Sequence, residues 1–206
     1  MKLYRNIGTS TSPIFDAGTL LEVGPPGSGS PINVGSRACP SVIDWNSDGR
    51  KDLIVGAMDG RVHLFLNEGT DAEPTFTAET FVQEGGSDLF VRSARSSPVV
   101  IDYDNDGRKD LITGNTDGQL LFYRNIGTDA APVFDGYVML QSEGVVIDLV
   151  ATRSRPFVCD WNGDGQLDVL IGCSDGSVYL FPGVPEPATM SLLGLGGLGL
   201  LIRRKR

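Results

Sequence analysis

Apolar residues in this chain come in short runs, not in helical stripes. Residues 98–102 are an apolar run that enters an Asp-rich turn, and residues 110–114 are apolar again. Asp117-Gly118 then reads as a two-residue hairpin turn, because primed turns need a positive φ that Asp and Gly tolerate. Residues 120–124 predict a third strand, and after the turn Asn125-Ile126-Gly127-Thr128, residues 133–140 predict a fourth. Short apolar runs bounded by turn residues are a strand pattern.

The pattern repeats at an offset of 58 residues. Pro40, Pro98 and Pro156 share a column, as do Asp44, Asp102 and Asp160, and Asp52, Asp110 and Asp168. Gly56, Gly114 and Gly172 follow, then the Asp-Gly pairs at 59, 117 and 175. Asn6-Ile7-Gly8-Thr9 repeats Asn67-Glu68-Gly69-Thr70 at an offset of 61, the extra three residues falling in the loop-like stretch 24–30. Four antiparallel strands in about 58 residues, repeated, predict an all-β fold of β-propeller blades. Met1 falls in the column of Val62, so the chain opens in the third strand of a blade. The predicted units are 1–34, a half blade and loop; 35–92 and 93–150, complete blades; 151–183, a partial blade; and 184–206, a tail. Propellers typically close with four to eight blades, so the expected object is an incomplete ring, an open arc with exposed edge strands.

Composition narrows the function. The 206 residues include 27 Gly and 12 Pro, too many for a helical bundle. The net charge of −9 has the wrong sign for a nucleic acid partner and favours cations. Three Cys cannot make a closed disulfide framework and lack zinc-site spacing, and a single His removes most His-based catalysis.

The chemistry lies in three Asp-rich turns with one spacing. Calcium takes six to eight hard oxygens, and side-chain oxygens at loop positions 1, 3 and 5, a carbonyl at 7 and Gly at 6 wrap one ion. The candidate ligands are Asp44, Asn46, Asp48, the carbonyl of Arg50, and Asp52; then Asp102, Asp104, Asp106, the carbonyl of Arg108, and Asp110; then Asp160, Asn162, Asp164, the carbonyl of Gln166, and Asp168. Position 12 holds Val55, Thr113 and Ile171, so the closing ligand falls to Asp at position 9, which suits a β-hairpin and not a helix–loop–helix. Ten of the 26 acidic residues stand in these columns, and the remaining 16 nearly balance the 17 basic ones. Three Ca²⁺ would bring the charge from −9 to −3. The middle loop, with Asp104 where the others have Asn, is expected to bind most tightly.

Residues 40–60, Pro-x-x-Ile-Asp-Trp-Asn-x-Asp-Gly-x-x-Asp-Leu-Ile-Val-Gly-x-x-Asp-Gly, resemble the FG-GAP (VCBS-type) repeats of integrin-α-like β-propellers. The resemblance covers about residues 1–182. It implies a seven-bladed ring in relatives, calcium between the first two strands of a blade, and ligand binding on the opposite face. The inter-blade stretches 24–36, 84–93 and 142–151 vary most between repeats and are the expected recognition surface.

The tail carries a separate signal. Val184-Pro185-Glu186-Pro187 precedes fifteen uncharged residues, 188–202, and then Arg203-Arg204-Lys205-Arg206. As a short hydrophobic helix this stretch spans about 22 Å, less than the roughly 30 Å hydrocarbon core. The order resembles the PEP-CTERM sorting signal of bacterial surface proteins. That implies recognition and removal by an exosortase-type enzyme after export, with transient membrane anchoring through residues 188–202 and the basic end cytoplasmic. Export needs an N-terminal signal, and residues 1–6 run straight into blade sequence, so an N-terminally truncated chain is expected.

Other columns have plainer readings. Trp45, Tyr103 and Trp161 are expected to pack over the metal turn or blade seam. Arg37, Arg95 and Arg153 are expected to pair with carboxylates of a neighbouring blade, the alternative being a channel lining that holds anions. His63 reads as a strand position. Cys159 and Cys173 are expected to be free thiols, Cys173 lying opposite Arg155. No repeat is broken by a Ser/His or Cys/His constellation. The expected protein is therefore a non-enzymatic, calcium-binding, exported cell-surface or matrix propeller that binds protein or polysaccharide. The alternative is the propeller fragment of a secreted polysaccharide lyase or hydrolase.

Overall fold

The computed structural model describes residues 1–25, 27–150 and 153–183. Every described regular element is a strand. Cys39–Ile43, Asp52–Gly56, Val62–Phe65 and Thr80–Phe81 pair in chain order as an antiparallel four-stranded blade. Ser97–Ile101, Asp110–Gly114, Leu120–Tyr123 and Val138–Met139 repeat it. Ser154–Cys159, Asp168–Cys173 and Val178–Phe181 form a three-stranded third blade. Ahead of them Lys2–Leu3 pairs with Thr19–Leu20, the third and fourth strands of a blade. The predicted C-terminal helix lies outside the described residues.

The fourth strand is shorter than predicted, starting at Val138 and not at 133. Val133 belongs to the preceding turn: its N–H goes to Asn125 Oδ1 at 3.0 Å, and its carbonyl accepts from Ile126 at 2.9 Å. Gly136, with φ of 81°, breaks the run after it. The inter-blade stretches contain small hairpins, Gln83–Glu84 with Ser87–Asp88 and Gln141–Ser142 with Val145–Val146. In the third blade Cys173 faces Ser154, one residue from the expected partner, because the strands pair Cys159 with Asp168. All three Cys are free thiols.

The core lies between blades, not within them. One cluster joins Ile54, Val62, Leu64 and Leu89 of the first blade to Leu111, Leu121, Tyr123 and Phe134 of the second. Another joins Ile112, Leu120 and Leu140 of the second to Val158, Val169 and Ile171 of the third. Successive residues of a middle strand therefore feed different clusters, Leu111 one and Ile112 the next, as the two-residue period requires. This is why Asp52–Gly56 and Asp110–Gly114 are buried throughout. The blades form an open arc, and the last face of the third is uncovered: Val178 is 70% exposed, whereas Val62 and Leu120 in the same column are 0%.

The Asn-x-Gly-Thr turns are built alike. Asn67 Oδ1 accepts from Gly69 and Thr75 N–H at 2.9 and 3.0 Å, and Asn125 and Asn6 repeat the arrangement. A Cβ on Gly8, Gly69 or Gly127 would lie 2.4 Å from a backbone carbonyl across the turn, so glycine is required there.

Candidate metal centre

Each Asp-rich loop folds around its first carboxylate. Asp102 accepts from the N–H groups of Asp106 and Gly107 at 3.1 and 3.0 Å; Asp44 accepts from Asp48 and Gly49, and Asp160 from Asp164 and Gly165, at 2.9–3.1 Å. The wrap needs left-handed backbone at position 6, supplied by Gly49, Gly107 and Gly165 with φ of 84–87°. Position 4 is left-handed too, at Ser47, Asn105 and Gly163. The position 5 carboxylates of Asp48, Asp106 and Asp164 take the N–H of Arg50, Arg108 and Gln166 at 2.8–3.0 Å.

The middle loop gathers the carboxylates predicted to hold a cation: one oxygen each from Asp102, Asp104 and Asp106 lies within 4.8 Å of the others. In the flanking loops the position 3 residue is amide, and Asn46 and Asn162 donate Nδ2–H to Asp48 and Asp164 at 2.9 Å. The donor set is hard oxygen throughout, which fits calcium.

Position 9 has a second task. Asp52, Asp110 and Asp168 are buried, and each ties the loop to the end of the third strand. Oδ2 accepts from Trp45, Tyr103 or Trp161 N–H at 2.7–3.1 Å, and Oδ1 from Asn67, Asn125 or Gly183 N–H at 2.7–2.8 Å. Each carboxylate oxygen keeps a further lone pair. Burial, reinforced by nearby Asp48 for Asp52 and by Asp104 and Asp106 for Asp110, pushes both carboxyls above the ordinary range despite these donors. The N–H groups of Gly183 and Trp161 hold Asp168 below it.

Arginines crowd the same carboxylates. Arg50 donates Nε–H to the Asn67 carbonyl at 2.6 Å and pairs with Asp48 at 2.5 Å; Arg108 does the same with Asn125 and Asp106. Arg124 is the residue that the loop motif did not reveal. It reaches Asp104 at 2.6 Å and Asp106 at 3.0 Å. Desolvation opposes it, but Arg108 N–H and the Arg124 and Arg108 guanidiniums keep Asp106 below the usual carboxylate range. The signal was present in the repeat alignment: Arg124 stands in the column of Leu66 and Pro182, in the one repeat that has Asp at position 3. Arg124→Leu should raise the calcium affinity of the middle loop roughly two- to fivefold, since exposed ion pairs contribute about 0.2–1 kcal/mol. Calorimetric titration of the variant checks this, and unchanged affinity would show that Arg124 does not compete with a cation.

The remaining columns divide. Trp45 is buried, 6.1 Å from the Phe134 ring of the next blade, and Tyr103 packs on Phe122 at 5.4 Å. Trp161 is 63% exposed, with no blade over it among the described residues. His63 is a buried tie between strands, its ring bonded to Glu79 at 2.5 Å and 3.4 Å from Asp59. Arg37, Arg95 and Arg153 do not pair with carboxylates of a neighbouring blade, contrary to expectation: no described carboxylate stands within ion-pair distance of them. Their position at the opposite end of the first strand from the acidic loops separates them from those carboxylates.

The family model for the FG-GAP-like repeat matches residues 44–113 and again 102–171. The PEP-CTERM protein-sorting motif matches residues 183–206. The repeat matches cover more than half of the chain, which belongs to the FG-GAP-like repeat family. Its tail marks it for export, cell-surface sorting and recognition by exosortase-type machinery.

Proposed function

We propose that this protein is a calcium-stabilised, non-enzymatic scaffold at the cell surface, whose blades present binding surface to a protein or polysaccharide. The observation that carries the reading is the recurrence of one oxygen-lined loop in three blades, with three carboxylates converging in the middle one. Bound at position 1, 3, 5 and 9 side chains and the position 7 carbonyl, calcium would supply charge neutralisation and cross-linking of the loop. The chain's own residues do the rest: the first carboxylate orders the turn, and the buried position 9 Asp fastens it to the third strand. The non-enzymatic reading is supported by the acidic residues standing in repeat columns, where each loop uses them alike to order its turn.

Anchoring before processing would run through residues 188–202, outside the described structure. Among the described residues no helix is long and apolar enough to cross a membrane. Removing residues 184–206 should leave calcium binding and melting temperature unchanged while the protein leaves the cell envelope for the medium. Fractionation with calorimetry checks both. Retention of the truncated protein on the envelope would refute sorting by the tail, and loss of folding would make the tail part of the core.

A further inference from the structure

The arginines at the starts of the first strands meet in one place. Arg37, Arg95 and Arg153, from successive repeats, and Arg155 line a cavity of about 330 Å³ whose wall is completed by residues 172–174. Arg95 is 2% exposed, and its Nε is buried without a hydrogen-bond partner. No described carboxylate forms an ion pair with any of the four guanidiniums. Burial, and then the charges of Arg155, Arg153 and Arg37, hold the Arg95 pKa down. Such crowding is costly unless an anion shares the space.

The repeat itself aims these groups. Arg37 and Arg95 share a left-handed backbone, with φ of 62° and 58°. Ser96 and Ser154 lock the segment that follows: their hydroxyls accept from Ala57 and Asn115 N–H of the preceding blade, each at 3.0 Å. The first strands stand side by side, so the cavity lies on the inner side of the arc, at the end of those strands away from the acidic loops. Arg155 replaces Cys39 and Ser97 of the other repeats, adding a fourth charge at the third blade. A protein of net charge −9 thus concentrates at one point four guanidiniums that no described carboxylate pairs.

We propose that this cavity is a binding site for a polyvalent oxyanion, bearing carboxylate or sulfate groups, held by guanidinium forks from consecutive blades. Planar guanidiniums match such oxygens in pairs, and four of them line this one cavity. The site goes beyond the calcium reading, since it uses no residue of the metal loops. Two sources share this chemistry, a free small anion and an acidic polysaccharide.

The test is titration of the full chain, in low salt with about 1 mM calcium, with malonate, inorganic sulfate, trigalacturonate and a sulfated dextran oligosaccharide. The expected result is binding that weakens with salt and falls at least about tenfold in Arg95→Gln. Arg153→Gln with Arg155→Gln, at less buried positions, should show the same loss and serves if Arg95→Gln does not fold. Asp102→Ala should leave anion binding unchanged even where it loses calcium, so failure of the metal reading and of this one are distinguishable. Binding of the small anions assigns a free-anion site, and binding confined to the oligosaccharides assigns an acidic glycan. Binding by none of the four probes, or equal binding in the arginine variants, overturns the proposal.

Discussion

Chelating calcium should lower the melting temperature by about 10 °C. A site with Kd near 10⁻⁴ M at about 1 mM free Ca²⁺ contributes roughly 1.4 kcal/mol, and three contribute about 4 kcal/mol. For a chain of this size each kcal/mol is worth about 2–4 °C. Asp102→Ala removes the residue around which the middle loop is wound and should abolish about a third of the gain. The effect has a pH signature. In the chelated protein, Asp52 and Asp110 have folded pKa values raised by burial. They bind protons more tightly folded than unfolded, so this contribution is present at acid pH and lost as pH rises through the folded values. Calcium prefers the ionised form and opposes that loss, so the gap between loaded and chelated melting curves should narrow as pH falls toward about 4. Scanning calorimetry with and without chelator measures both effects. Coincident curves at neutral pH, or no bound ion at millimolar calcium, would remove the metal reading.

Gly114→Ala should destabilise the protein by about 3 kcal/mol or more, and Gly172→Ala, in the same column, should be neutral or stabilising by less than about 1 kcal/mol. A Cβ on Gly114 would lie 2.2 Å from the Ser154 carbonyl oxygen and 2.5 Å from its hydroxyl, neither of which can withdraw without breaking the link to Asn115. Gly56 faces the same obstacle, 2.3 Å from the Ser96 carbonyl oxygen. At Gly172 a Cβ would meet nothing within 4 Å. Denaturant midpoints of the two variants measure the contrast directly. Equal destabilisation would mean that the third blade is covered in solution as the second one is; equal tolerance would mean that the blades do not pack as described.

Much of the local structure was legible in the chain. The fixed offset carried the strand order, and the loop motif carried the turn, because Gly49, Gly107 and Gly165 adopt the backbone that only glycine takes easily. The fourth strand starts later than its side chains suggest, because Val133 has a strand-like side chain but a backbone committed to Asn125. Position 9 was legible as conserved chemistry within the repeat, though not as a tie, since its donors include Asn67 and Asn125, 15 residues away. Arg124 was hidden for a related reason: its carboxylates lie 18 and 20 residues back and are reached only across a strand pair.

The sequence by itself determined everything whose partners lie within one repeat: strands of period two, the Asn-x-Gly-Thr turns, and the oxygen-lined loops, all set by backbone geometry and short-range hydrogen bonds. Only the tertiary structure decided what happens between repeats. Identical columns end up buried or bare, Leu120 at 0% and Val178 at 70%, Trp45 packed and Trp161 exposed. Three arginines spaced 58 residues apart become neighbours in one cavity, with no described carboxylate to meet them. The physical reason is that a propeller core is made by stacking one blade on the next, so a residue's burial and electrostatic partners belong to the adjacent repeat and are invisible to any pattern read within its own.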